Sequence, residues 1–217
     1  MTNTTHRWGA TPEEWDWAAF HFGDAILPAV GDPDPNLQRS RGLQHLDSLA
    51  KTPSIIGSNG QAHGIKGWTV HSATPAQVQA WRRDPAHNIL VSTRNIRAID
   101  INVDDKTAGD KLEDFIQRTL GAQLPVRYRA NSGKRTLLLR LDPNPNINRR
   151  RIAIGGYGMI EFLADKQQTA VFGTHPSGAR FEMRGHEHGI PVVPIESVIA
   201  LWDMLGAAYD EAAGPLI

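Results

Sequence analysis

The chain has 217 residues, 40% hydrophobic and 21% charged, enough for one domain with a proper core or one domain with a small appendage, which excludes a disordered chain. Its 23 basic and 23 acidic residues cancel, so affinity for a polyanion must come from a local basic patch rather than from bulk charge. Cysteine is absent, which excludes a disulfide framework, a thiolate zinc site and a cysteine nucleophile; no stretch is apolar enough to span a bilayer, and residues 1–7 lack the basic and apolar parts of a signal peptide, so the expected location is the cytoplasm.

Thr11-Pro12-Glu13-Glu14 combines a capping hydroxyl, a proline at the first helical position and an acid at the third, so a helix begins there, with Trp15, Ala18, Ala19 and Phe22 as its buried stripe. Gly31, Pro33, Pro35 and two aspartates make residues 28–42 read as an irregular loop. After Lys51-Thr52-Pro53-Ser54, a passage through Gly57, Gly60, Gly64 and Gly67 reads as a candidate ligand loop. Thr74-Pro75 opens a second helix carrying Val78 and Trp81, which ends before Pro85, and a strand follows at 89–92. From residue 96 the apolar residues alternate, with Ile99, Ile101 and Val103 on one strand face and Ala98, Asp100, Asn102 and Asp104 on the other. Ala108, Leu112, Phe115, Ile116 and Leu120 recur at helical spacing, so a third helix is predicted over 105–119, with Gly121 as its stop. Short strands are predicted at 126–130, 136–141, 159–163 and 169–173, and an amphipathic helix after Pro194 carries Val198, Leu201, Trp202 and Leu205. Strands after helices argue for an α+β class with a mainly antiparallel sheet.

Strand periodicity puts Asp100 and the side chain two residues on upon one face, the way a D-x-D pair converges on one or two divalent cations that can drive phosphoryl transfer. Here the second residue is Asn102, whose amide oxygen can ligate but brings no charge, so metal affinity should fall sharply. By itself Asp100 reads equally as a solvated strand residue ahead of a turn. Glu161, set between apolar residues of a strand, is costly to desolvate unless it meets a metal, a cation or a donor, which makes it a further ligand or else a glutamate paired with an arginine. Arg127, Lys134 and Arg135 belong to a basic strand–turn–strand passage suited to a triphosphate or a nucleic-acid backbone. His175, in Gly173-Thr174-His175-Pro176-Ser177-Gly178, is placed to donate to a phosphate or carry a proton. His186-Glu187-His188 is weak as a zinc site, since the chain has no thiolate and the loop is glycine-flanked.

In order, these segments resemble the archaeo-eukaryotic primase superfamily, and within it the N-terminal primase-polymerase domains of phage and plasmid primase-helicases. The resemblance covers residues 27–194 and is carried by Lys51-Thr52-Pro53 with Gly64 and Trp68, Trp81 with Asn88-Ile89, and the stretches 97–105, 125–140, 160–168 and 173–181. It implies a primase-polymerase fold over residues 1–194, with an RRM-like, mainly antiparallel sheet and flanking helices, in a protein of the bacterial cytoplasm. It also implies a DNA primase/polymerase that joins NTPs or dNTPs on a single-stranded DNA template with two divalent metals, Mg2+ or Mn2+. Asp100 matches the first acid of the family's D-x-D or D-x-E motif, and Glu161 matches its later single acid, whereas Asn102 departs from the pattern. Lys134 and Arg135 fall where many members carry a histidine, and His175 takes over contact with the triphosphate.

Asn102 leaves two readings open: a naturally weakened or repurposed enzyme, or an aspartate replaced by asparagine to stop turnover. Asp104 is a minor candidate for the missing carboxylate. The competing functions are a catalytically silent single-stranded-DNA-binding replication initiator domain and a metal-dependent nuclease; the nuclease is weaker because no acid-x-lysine pair follows an acidic strand. Residues 195–217 read as a C-terminal helix and, through Ala212-Ala213-Gly214-Pro215, the start of a linker to a helicase domain in the same full-length chain.

Overall fold

A computed structural model describes residues 8–31, 34, 36–210, 215 and 216; the residues 1–7 read for a signal peptide, the loop prolines Pro33 and Pro35, and linker residues 212–214 lie outside the described residues. In chain order the elements are α1 (Pro12–Phe22), β1 (Ile26–Val30), β2 (Ser54–Ile56), β3 (Ala62–Gly64), α2 (Pro75–Arg83), β4 (His87–Ser92), β5 (Arg97–Val103), α3 (Lys106–Leu120), β6 (Val126–Tyr128), β7 (Arg135–Asp142), β8 (Arg150–Ala153), β9 (Gly158–Leu163), β10 (Gln168–Thr174), β11 (Arg180–Arg184), β12 (Val192–Pro194) and α4 (Ile195–Tyr209). The class is α+β and the strand pairing mainly antiparallel, with β12 on β7 as the parallel exception. No helix among the described residues is long and apolar enough to cross a membrane. The chain divides into two compact units, residues 1–92 with 169–181, and residues 93–168 with 182–217.

In the first unit, α1 and α2 both begin on a reciprocal capping box. The Thr11 hydroxyl accepts from the Glu14 backbone at 3.2 Å while Glu14 accepts from the Thr11 backbone at 2.7 Å, and Thr74 with Gln77 repeats the device. Strand β1 pairs antiparallel with β4, and both are buried throughout. Pro28, which made this stretch read as loop, is tolerated because β1 is the outer strand and one side of it needs no donor. The glycine-rich passage is a hairpin of β2 and β3, paired from Ser54↔Gly64 to Ile56↔Ala62. Asn88 fastens β4 to the end of β10: its amide donates to the Thr174 carbonyl at 2.8 Å and to Ala50 at 3.0 Å, and its oxygen accepts from the Thr174 N–H at 2.9 Å.

In the second unit, β5 is flanked by β7 and β9, and β8 closes the edge beyond β9. Ile99, Ile101, Leu137, Ile160 and Phe162 turn to the face covered by α3 and α4, where they meet Leu112, Ile116, Leu201 and Trp202. Burial of each such side chain contributes about 1.5–3 kcal/mol, so this face sets the register of all four strands. Helix α4 contributes Val198, Leu201, Trp202 and Leu205 to the core of this unit. Helix α3 starts on Asp105, whose carboxylate accepts from the Ala108 N–H at 2.6 Å, and stops at left-handed Gly121. Arg97, 1% exposed, opens β5 and binds the Thr93 and Pro145 carbonyls, Asn144 and Asp165 at 2.7–3.2 Å, tying two loops to the strand.

Candidate active site

Because the core claims one face of the second unit's sheet, the alternate residues of its strands share the other. The register sets Asp100 of β5 opposite Thr136 of β7 on one side and Glu161 of β9 on the other. Arg127 of β6 stands opposite Thr136, and Arg151 of β8 opposite Glu161. One row across five strands thus reads Arg127, Thr136, Asp100, Glu161, Arg151. Neighbours in such a row have Cβ atoms about 4.5–5.5 Å apart, so the two carboxylates can address one ligand.

The Thr136 hydroxyl donates to Asp100, the Arg127 guanidinium donates to the Thr136 oxygen, and Arg127 lies 3.6 Å from the Asp100 carboxylate. Arg127 is buried; desolvation pulls its pKa down, and the Asp100 charge pushes it back up. It therefore serves Asp100 as a counter-ion from below rather than standing out towards solvent. Glu161 takes the arginine partner that was one of its two readings: Arg149 binds it, with the Glu161 side chain 9% exposed and that of Arg149 49%. Asn102 is half-buried on the same face, opposite Met159, and makes no side-chain hydrogen bond among the described residues.

The remaining residues divide. Lys134 is half-exposed and pairs with Asp104 at 3.2 Å, just past the end of β5. Asp104 is 89% exposed and turned to this lysine, so it does not replace the carboxylate missing at Asn102. Arg135 lies one position before Thr136 and so on the helix face, where it pairs with Asp110 of α3 at 2.7 Å and Glu113 at 3.4 Å; it is buried and holds the helix to the strand. Gly133, in the turn before Lys134, sits under the carbonyls of Val103, Asp104 and Asp105, and an added Cβ would approach them to 2.6–2.7 Å.

His175 belongs to the first unit, in the turn from β10 to β11. Its Nδ1 accepts from the Ser177 N–H at 3.0 Å, so the neutral ring carries its proton on Nε2. It borders a cavity of about 340 Å³ with Trp8, Arg39, Asp47 and Ser48. His186 and His188 lie 3.9 and 3.5 Å from the intervening Glu187, and no group of three or more His, Cys, Asp or Glu among the described residues is arranged to hold a metal. In the sequence Arg149-Arg150-Arg151 stands out as a local basic cluster, but neither it nor Thr136 is marked there as part of the site; the register of β7, β8 and β9 is what brings them to Asp100 and Glu161.

Asp100, Glu161 and the Asn102 amide offer hard oxygen donors on one face, which fits a hard divalent cation. A row of carboxylates flanked by arginines is suited to phosphate chemistry. No curated protein matches the sequence. Over residues 26–198, more than half its length, the sequence matches the family described as bifunctional DNA primase/polymerase, N-terminal (Prim-Pol), and the chain belongs to that family.

Proposed function

We propose that this Prim-Pol domain carries out template-directed nucleotidyl transfer from NTPs or dNTPs on single-stranded DNA, with Asp100, Glu161 and Asn102 as its cation ligands. The observation that carries this reading is the cross-strand pair of Asp100 and Glu161, with Arg127 and Thr136 fixing the first carboxylate. Mg2+ or Mn2+ bound there would act as the Lewis acid for the attacking hydroxyl and the departing pyrophosphate; the second metal of a two-metal arrangement would depend on Asn102 and substrate phosphates. Thr136 and Arg127 hold the Asp100 carboxylate in one orientation. Lys134, flexible and half-exposed, supplies charge to the triphosphate. Arg135 is left out of this set because its guanidinium is engaged under α3.

A primer-synthesis and extension assay with labelled NTPs and dNTPs tests the reading. Asn102→Asp should raise turnover about tenfold or more, the order expected when a ligand regains its charge. The assignment fails if parent and Asn102→Asp are both inactive while Asp100→Ala leaves nucleotide and Mn2+ binding unchanged. One observation favours a silent single-strand-binding module instead: each carboxylate of the row already has an arginine partner, and Asn102 adds no charge. Salt-sensitive strand binding without metal-dependent nucleotide affinity would decide for that module.

A further inference from the structure

The polar row carries two negative charges, Asp100 and Glu161, and two arginines already pair with them, Arg127 and Arg149. A dication entering this row meets a balanced site, so its binding requires that one arginine withdraw. The two are held differently. Arg127 is 7% exposed and is bound by the Thr136 hydroxyl as well as by Asp100. Arg149 approaches from the loop ahead of the edge strand β8 with its side chain half in solvent, and its pairing is to Glu161. It is therefore the arginine that can leave at small cost.

A destination lies beside it. Arg149 and Arg151 are two residues apart and line, with Arg150, Ala153, Gly158, Met159 and a single carboxylate, Asp210, an open cavity of about 470 Å³ at the sheet edge, where three arginines outnumber that acid. Arg151 is exposed and stands opposite Glu161 in the register. Two guanidinium groups at this spacing, next to a carboxylate that can hold a cation, present the fork geometry that suits phosphate oxygens. Resting on the site reading above, we infer that Arg149 is a displaceable counter-ion of Glu161, released when a divalent cation binds, and that Arg149 and Arg151 then form a phosphate-binding edge on β8. The shared ligand chemistry is phosphate, borne by a nucleoside triphosphate or by a DNA strand.

The test uses the full chain, with free Mn2+ followed by electron paramagnetic resonance and phosphate ligands titrated in its presence. Arg149→Gln should tighten Mn2+ binding roughly fivefold, the size of a partly exposed ion pair removed as competitor. Arg149→Lys, which restores the charge, should bring the affinity back towards that of the parent. Arg151→Gln should leave Mn2+ binding unchanged, and both glutamine variants should weaken the phosphate ligand by about tenfold, the loss of a charge-assisted contact. Two ligands are compared, a methylene-bridged nucleoside triphosphate and a single-stranded oligodeoxynucleotide, and the one that loses affinity names the source of the phosphate. Glu161→Gln separates the levels. If it abolishes Mn2+ binding while Arg149→Gln leaves that binding unchanged or weaker, the displaceable counter-ion is overturned and the site reading stands. If Glu161→Gln binds Mn2+ like the parent, both fall. Unaltered affinity of the glutamine variants for both ligands overturns the phosphate edge.

Discussion

The Thr136 hydroxyl donates to Asp100 and accepts from Arg127, so two charged groups depend on one side chain that is itself fully buried. Thr136→Val keeps the shape and removes both bonds; it should cost about 1–3 kcal/mol of stability by urea denaturation, whereas Thr136→Ser should cost less. A second residue-scale prediction concerns His87, buried in β4 with its Nδ1 against the Trp81 carbonyl at 3.3 Å. Burial holds its pKa below the usual 6.5, partly offset by Asp84. Above that value folded and unfolded chains both carry a neutral ring. Below it the unfolded chain takes up a proton that folded His87 refuses, so stability should fall as pH drops and level off once the folded ring also protonates. Urea midpoints measured between about pH 7.5 and 5 should show this slope, and His87→Gln should flatten it. At this scale the sequence was legible where alternation alone decides, as for Asp100 and Glu161. It was not legible for Arg135 and Thr136: one step along a strand exchanges faces, and a run of cations read as one cluster conceals that step.

At the scale of elements, helices were read well because their signals are local: capping boxes at Thr11 and Thr74, and left-handed Gly121 after α3. Several strands escaped because partners far along the chain make them strands. Strand β1 carries a proline, β8 opens on consecutive arginines, and β11 alternates around charged residues that pair with β6. Their registers, which bring Arg151 opposite Glu161, are likewise absent from any local pattern. The turn before β7 shows how closely elements meet: Gly133 lies under three carbonyls at the end of β5, and Gly109 of α3 lies against the Gly133 carbonyl, 2.3 Å from where a Cβ would be. Gly133→Ala should therefore cost about 1–3 kcal/mol through overpacking, read from the shift in urea midpoint, and should reduce nucleotide affinity by moving Lys134.

For the whole molecule, a formal charge of zero says little about partners, because charge is sorted by face. Lys134 is partly exposed, and Arg149 and Arg151 are exposed, on the carboxylate face of the second unit. If these residues meet the backbone of a single strand, the logarithm of the binding constant should fall against the logarithm of salt concentration with a slope of about −2, and Arg151→Gln should make it shallower by about 0.7. A filter-binding or anisotropy titration across a salt series measures both. The family could be read from the order of short segments spread along most of the chain, since that order survives even where single strands were missed.

The edge cavity beside β8 also gives the protein a reporter position. Ala153 is exposed and lines that cavity with Arg149 and Arg151, and the chain contains no cysteine. Ala153→Cys would thus be the sole thiol, one that a nitroxide can label without competition from any other site. Mn2+ held at Asp100 and Glu161 would broaden the nitroxide spectrum by its paramagnetism, turning occupancy of the carboxylate row into a signal read without any turnover.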